Sequence, residues 1–241
     1  MNPPDSAASA APVVAVDGPS GAGKGTVSRL LAARLRWQLL DSGALYRLVA
    51  YAGRRDGLAD DDRAGHAKLA RNLDSRFGAR PDGSELILLS GVDVTTGIRT
   101  EESGMGASRV AGWSEVRDAL LARQRGYARP PGLVADGRDM GTIVFPAAPL
   151  KIFLIASAEE RAQRRYNQLK GKDSAVTLAA LSREIAARDR QDATRQVAPL
   201  VPAGDAVTVD STRLSVAEVV ERVWRLGFER GLWQEGLISG G

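Results

Sequence analysis

The residues with the clearest chemical purpose form one run, Asp17-Gly18-Pro19-Ser20-Gly21-Ala22-Gly23-Lys24-Gly25-Thr26. Its glycines let successive backbone N–H groups turn inward around phosphate oxygens, and Lys24 adds a mobile positive charge at the start of a helix. Val13-Val14-Ala15-Val16 precedes the run, and Val27, Leu30, Leu31 and Leu35 follow at helical spacing. Strand, glycine-rich loop and helix in that order are the context a phosphate-binding loop requires. A purely structural turn needs no lysine at that point, so binding of a nucleoside triphosphate is expected. Gly25 stands where a Ser or Thr usually meets magnesium, with Thr26 after it. No Asn-Lys-x-Asp guanine-reading run occurs, and a later strand ends Ala135-Asp136-Gly137 rather than in an Asp-Glu pair suited to activating water. These features favour a kinase of a small molecule over a hydrolysing switch or motor.

Composition narrows the chemistry further. The chain has 241 residues, 44% hydrophobic and 26% charged, which fits one large globular domain or a core carrying an inserted lobe. It contains no cysteine and a single histidine, His66, which excludes thiolate chemistry and argues against a histidine-based metal centre. Basic residues exceed acidic ones by 33 to 29, and Lys24, Lys68, Lys151, Lys170 and Lys172 are the only lysines. Arginine's planar fork suits phosphates and carboxylates. No run approaches a membrane span, and residues 1–10 hold no cation to open a secretory signal, so a cytoplasmic protein without membrane attachment is expected.

Five short apolar runs must position the loop: Val13 to Asp17, Gln38 to Asp41, Leu133 to Asp136, Lys151 to Ala156 and Ala206 to Asp210. Near-continuous apolar strands separated by helical patterns predict an α/β fold with a parallel sheet covered on both faces. Residues 1–11 read as a flexible tail. Between the second and third runs, Arg76-Phe77, Glu85 to Leu89 and Val92 to Val94 read as small strands joined by Pro81-Asp82-Gly83 and Ser90-Gly91 turns. They predict an inserted lobe over 62–99, within a core of 12–61 and 100–241.

Two polar clusters lie at strand ends, where open parallel sheets bind ligands. One is Asp41-Ser42-Gly43-Ala44-Leu45-Tyr46-Arg47 and the other Asp136-Gly137-Arg138-Asp139-Met140-Gly141-Thr142. Past the fourth strand, Ser157-Ala158-Glu159-Glu160 reads as a capping box, and Arg161, Arg164 and Arg165 share one helix face, away from Ala162, Tyr166 and Leu169. Such a cationic stripe can close over a polyphosphate. In the next helix Leu178, Leu181 and Ile185 define an inward stripe. At roughly 100° per residue, Arg188, Asp192 and Arg195 continue it within about 75°, which points that face at a polar ligand.

With these residues in place, the chain resembles the bacterial cytidylate kinases over nearly all of residues 12–230. The resemblance rests on the phosphate loop, on Leu40-Asp41-Ser42-Gly43-Ala44-Leu45-Tyr46-Arg47, on Ala135-Asp136-Gly137-Arg138-Asp139-Met140-Gly141-Thr142 and on Ala198-Pro199-Leu200-Val201-Pro202. It implies a five-stranded parallel sheet of order 2-3-1-4-5, a small lobe that binds the nucleoside monophosphate, and a mobile helical lid over 158–195. It also implies a pyrimidine read by Ser42, Arg117, Asp139 and Arg195, a sugar held by Ser108, Arg188 and Asp192, and an acceptor phosphate held by Arg47 and Arg138. Glu102-Ser103-Gly104-Met105-Gly106-Ala107 is richer in glycine than the family's usual sequence before Ser108.

The activity expected is phosphorylation of CMP and dCMP by ATP, with Mg2+ held mainly through ATP phosphates and water, in a monomer that binds no nucleic acid. Lys24, Arg161, Arg164, Arg165 and Arg188 are the expected catalytic cations, because phosphoryl transfer is helped chiefly by alignment and by charge placed on the transferring group. The competing readings are a kinase of UMP or of a non-nucleotide acceptor such as shikimate, and a basic nucleic-acid-binding protein. Aromatic residues total only 5% and do not interleave with the arginines, which weighs against the last.

Overall fold

The computed structural model of the chain describes residues 11–82, 84–170, 177–195 and 197–234. Five strands, β1 (Val13–Asp17), β2 (Gln38–Asp41), β6 (Leu133–Asp136), β7 (Leu150–Ile155) and β8 (Val207–Asp210), form one sheet in the order β2-β6-β1-β7-β8. Counted along the chain, that is the expected order 2-3-1-4-5. Strand β1 pairs in parallel with β6 through Val14 and Val134 and with β7 through Val16 and Ile152. Every residue of β1 and β6 is buried, which explains their unbroken apolar character up to the terminal aspartates. The bounds differ from those read in the sequence by one residue at β7, which spans 150–155, and at β8, which begins at Val207.

A second sheet is antiparallel, with β3 (Ser75–Ala79), β4 (Glu85–Leu89) and β5 (Val92–Asp93) in that order. It contains the small strands expected in the insert, and β3 extends beyond Arg76-Phe77 because Ser75 and Ala79 also find partners, Leu89 and Glu85. The helices are α1 (Lys24–Leu35), α2 (Ser42–Arg55), α3 (Arg63–Arg71), α4 (Glu101–Val110), α5 (Ser114–Arg125), α6 (Ala158–Leu169), α7 (Leu178–Ala193) and α8 (Val216–Glu229). Contacts divide the chain into two compact units. One comprises the described parts of 1–40, 125–194 and 199–241; the other comprises 41–124 and the described residues of 195–198. The second unit is wider than the 62–99 lobe read from the sequence, because α2 and α4, on either side of the small sheet, pack on each other within it.

The segment read as a lid contains α6 and α7, with 171–176 outside the described residues. Ser157 caps α6 by accepting from the Glu160 N–H, but the reciprocal half of the capping box read from the sequence is not made, since the Ser157 N–H donates to Thr212 Oγ1 and the Glu160 carboxylate accepts from Arg164. On α7 the buried stripe is Leu181, Ile185 and Asp192, whereas Leu178, the first residue of the helix, is exposed. Arg195 lies beyond Thr194, which ends the helix, and so does not continue its face.

The tail before residue 11 and the chain after 234 lie outside the described residues, but Trp233, in a stretch without sequence periodicity, belongs to the core. It is 5% exposed, tilts against Trp224 at 5.3 Å and meets Trp37 edge-on at 5.7 Å. Helix α8 buries Val219, Val220, Val223, Trp224 and Gly227. At Gly227 a Cβ would stand 1.9 Å from the Trp233 ring, so only glycine leaves room for the indole. Trp233→Ala is expected to lower unfolding free energy by about 3–5 kcal/mol, as for other buried aromatic truncations. Gly227→Ala should be strongly destabilising alone and nearly silent in the Trp233→Ala background. A double-mutant cycle by urea denaturation checks this, and additive effects would refute the packing argument.

Candidate active site

The loop between β1 and α1 takes the shape its glycines allow. Gly18 has φ +145°, and a Cβ there would lie 2.0 Å from the Leu154 carbonyl oxygen of β7. Gly23, at φ +96°, is the N-cap of α1, and no side chain caps the helix. The amides of the first turn are therefore left to an anion, at the end of the helix where the dipole favours negative charge. Gly21, Gly25 and Thr26 are exposed along the same stretch.

Lys24 is 6% exposed, and its ammonium donates to the Pro19 carbonyl at 2.9 Å. Burial pushes it down from the ordinary lysine value to about 7, with Arg138 and Arg188 adding to the effect and Asp136 and Asp17 opposing it. Asp17 is 5% exposed and is pushed up to about 6, again chiefly by burial, although the amides of Gly141 and Met140 donate to it and lower it. Both charges sit where desolvation disfavours them. Asp136 closes this side of the loop, since its Oδ2 lies 3.3 Å from the Cβ position of Gly25.

The second strand-end cluster starts at Asp136 and continues into one π-helical turn, Met140–Val144. Arg138 Nε donates to Asp192 Oδ2 of α7 at 3.0 Å, and Asp139 is 3% exposed. Phosphate-loop, Arg138, Asp139, Arg188 and Asp192 thus belong to one compact unit.

The lid arginines differ in their surroundings. Arg161 is 5% exposed, donates to the Ala156 and Ser20 carbonyls, and forms a two-pronged pair with Asp189 of α7 at 2.9 and 2.6 Å. It straps the loop to the lid helix rather than lining an open cationic face. Arg164 donates to Glu160, to the Ser211 hydroxyl and carbonyl and, at 3.4 Å, to the Ala22 carbonyl of the loop. Arg165 on α6 and Arg188 on α7 are half-buried.

The other unit holds Ser42, Arg47, Ser108, Arg117 and Arg195. Asp41 caps α2 by accepting from Ala44 N, and Ser42, the helix's first residue, is buried and donates to Gln124 Oε1 at 2.8 Å. Arg47, on the next turn, donates to the Ile98 and Thr100 carbonyls. Arg195 Nη2 donates to the Ser108 hydroxyl at 2.8 Å, and Arg117 is buried with Nη1 on the Ala111 carbonyl at 3.4 Å. The sequence reading gave Asp17 no role beyond opening the phosphate-loop run, and it gave Asp189 and Gln124 none.

Comparisons with known proteins identify the family. The family model described as cytidylate kinase matches residues 14–227. A cytidylate kinase of Pseudomonas fluorescens (strain SBW25) is 58% identical over 214 residues, covering 88% of this chain and 93% of that one. One from Stutzerimonas stutzeri (strain A1501) is 57% identical over 213 residues, with the same coverage. The solved structure of an uncharacterized protein from Eubacterium ventriosum ATCC 27560, 11% identical, aligns with a TM-score of 0.50 over 90% of this chain and 98% of its own, a likeness of fold. By the family match and the identity over most of its length, the chain belongs to the cytidylate kinase family.

Proposed function

We propose that the protein transfers the γ-phosphoryl group of ATP to a phosphate oxygen of CMP or dCMP, giving ADP and CDP or dCDP. Beyond the family match, one observation carries the reading. The uncapped start of α1, with Lys24 buried beside it, lies at the carboxyl end of β1, and Arg138 and Asp139 lie at the same end of the neighbouring parallel strand β6. A donor cradle and acceptor-binding groups on adjacent strand ends suit transfer between two phosphates. Turnover across a panel of nucleoside monophosphates and shikimate, read by coupled ADP release, tests it. CMP and dCMP should lead the panel, and the reading falls if another acceptor does.

In this reading Lys24 and the loop amides hold the donor phosphates, and Arg164, Arg165 and Arg188 place positive charge on the transferring group. Arg161 acts by holding the loop and α7 in register. Ser42, Arg117, Asp139 and Arg195 read the pyrimidine, Ser108, Arg188 and Asp192 the sugar, and Arg47 and Arg138 the acceptor phosphate. Among the described residues no group of three or more His, Cys, Asp or Glu could hold a metal ion, and Gly25 offers no hydroxyl. Mg2+ held through donor phosphates and water would neutralise part of their charge. Lid closure excludes water and so spares ATP from hydrolysis. No helix among the described residues is long and apolar enough to cross a membrane, and the proposed setting is a cytoplasmic monomer that binds nucleotides and no nucleic acid.

The lowered pKa of Lys24 gives a signed prediction. At pH 8 a lysine titrating at about 7 is mostly neutral, and a bound triphosphate raises its pKa again. Binding of a non-hydrolysable ATP analogue should then take up close to one proton at pH 8 and much less at pH 6. Calorimetry in buffers of different ionisation heat measures the uptake, and Lys24→Met should abolish it. Equal uptake at both pH values would show that another group titrates.

Base recognition gives a second. Cytosine presents an amino donor where uracil presents a carbonyl, and the Asp139 carboxylate can accept only from the former. Facing a carbonyl oxygen leaves buried polar groups unpaired at about 1–3 kcal/mol, a preference of roughly tenfold or more. Asp139→Ala should lower kcat/KM for CMP much more than for UMP, whereas Asp192→Ala should leave their ratio nearly unchanged. Equal slowing of CMP and UMP by Asp139→Ala would remove Asp139 from base reading.

A further inference from the structure

The π-helical turn that follows Arg138 and Asp139 is capped by a residue from a different strand. Asp139 is in the N-cap position of that turn yet makes no side-chain cap bond. The bonds come from Asp17 at the end of β1, whose Oδ1 accepts from Met140 N at 2.8 Å and whose Oδ2 accepts from Gly141 N at 2.7 Å. Both oxygens of one buried carboxylate are thus committed to adjacent amides. At Gly141 a Cβ would stand 3.1 Å from Lys151 Cδ and 3.4 Å from Asp17 Oδ2, so the turn is pressed close against β1 and β7. Asp17 also begins the phosphate loop.

We propose that Asp17 is a positioning residue for the acceptor side of the reaction: by capping the Met140–Val144 turn from β1, it holds Arg138 and Asp139 in place and keeps the Asp139 carboxylate out of capping duty. The proposal rests on the kinase reading above for the roles of Arg138 and Asp139. A carboxylate accepting two charge-assisted bonds cannot be replaced by an amide without turning one acceptor into a donor that faces an N–H. Asp17→Asn should therefore tilt the turn while nearly preserving volume. Its effect should fall on the acceptor more than on the donor, because Asp17 bonds directly to the amides of the turn but acts on Lys24, whose hydrogen bond goes to the Pro19 carbonyl, only through its field.

Protonation tests the same contact in the unaltered protein. Asp17 faces Lys24 from α1 and Asp139 from the turn, while Asp136 lies at the end of paired β6. Lys151 of β7 packs beside Gly141 but sends its ammonium to the Pro146 carbonyl and Asp205. With Asp17 titrating near 6, its caps are charge-assisted above that pH and weaken below it.

The experiment has two arms. In steady-state kinetics, Asp17→Asn should raise KM for CMP about tenfold or more, with KM for ATP changing by less than about threefold. Equal changes in both, or a fall in kcat alone, would overturn the proposal. In the wild-type protein, NMR amide shifts of Met140 and Gly141 should follow the Asp17 carboxyl carbon through one midpoint near pH 6. Amides that do not follow that carboxyl would overturn it whether or not Asp17→Asn folds. If wild type fails to phosphorylate CMP while the amides titrate as expected, the kinase reading fails and the Asp17 cap stands.

Discussion

A lysine ammonium buried beside an uncapped helix N-terminus is the constraint around which this protein is arranged. Desolvation disfavours the charge, two arginines repel it, and the nearest relief is the Pro19 carbonyl together with the fields of Asp136 and Asp17. An anionic ligand with several oxygens resolves all of this at once. It pairs with the ammonium, fills the amides left by Gly23 and offsets the repulsion of Arg138 and Arg188. On the proposed function, the desolvation that disfavours the bare ammonium becomes a preference for polyphosphate. Holding it requires a stiff support, which the fully buried β1 and β6 provide.

What could be read in the sequence follows from how each feature is encoded. Central parallel strands are buried on both faces, so their runs were legible to within a residue or so, and the phosphate loop was legible because its glycines and lysine answer a local demand. Ser157 was legible as a cap because its partner lies three residues away. The partners of Asp17 lie more than a hundred residues away, and no local pattern marks them. Helical spacing placed Arg161 on a face with Arg164 and Arg165 but could not show that the Ser20 carbonyl and Asp189 cover it. Trp233, past the end of α8, has no periodicity to report its burial. Its seat depends on the missing side chain of Gly227.

Arg161 shows why the glycine-rich loop and helix α7 cannot be treated as separate parts. Its guanidinium donates to a loop carbonyl, to the Ala156 carbonyl after β7 and to both oxygens of Asp189 on α7. Three segments distant in sequence share one planar group, whose fork fixes their mutual orientation in a way that a point charge would not. Because the arginine is buried, removing only the Asp189 carboxylate leaves an uncompensated cation beside the phosphate loop, and that penalty exceeds the value of an exposed pair. A change made in α7 is therefore transmitted to the glycine-rich loop. Substitutions in the loop and in the lid are coupled through this side chain, so their effects on turnover will not add.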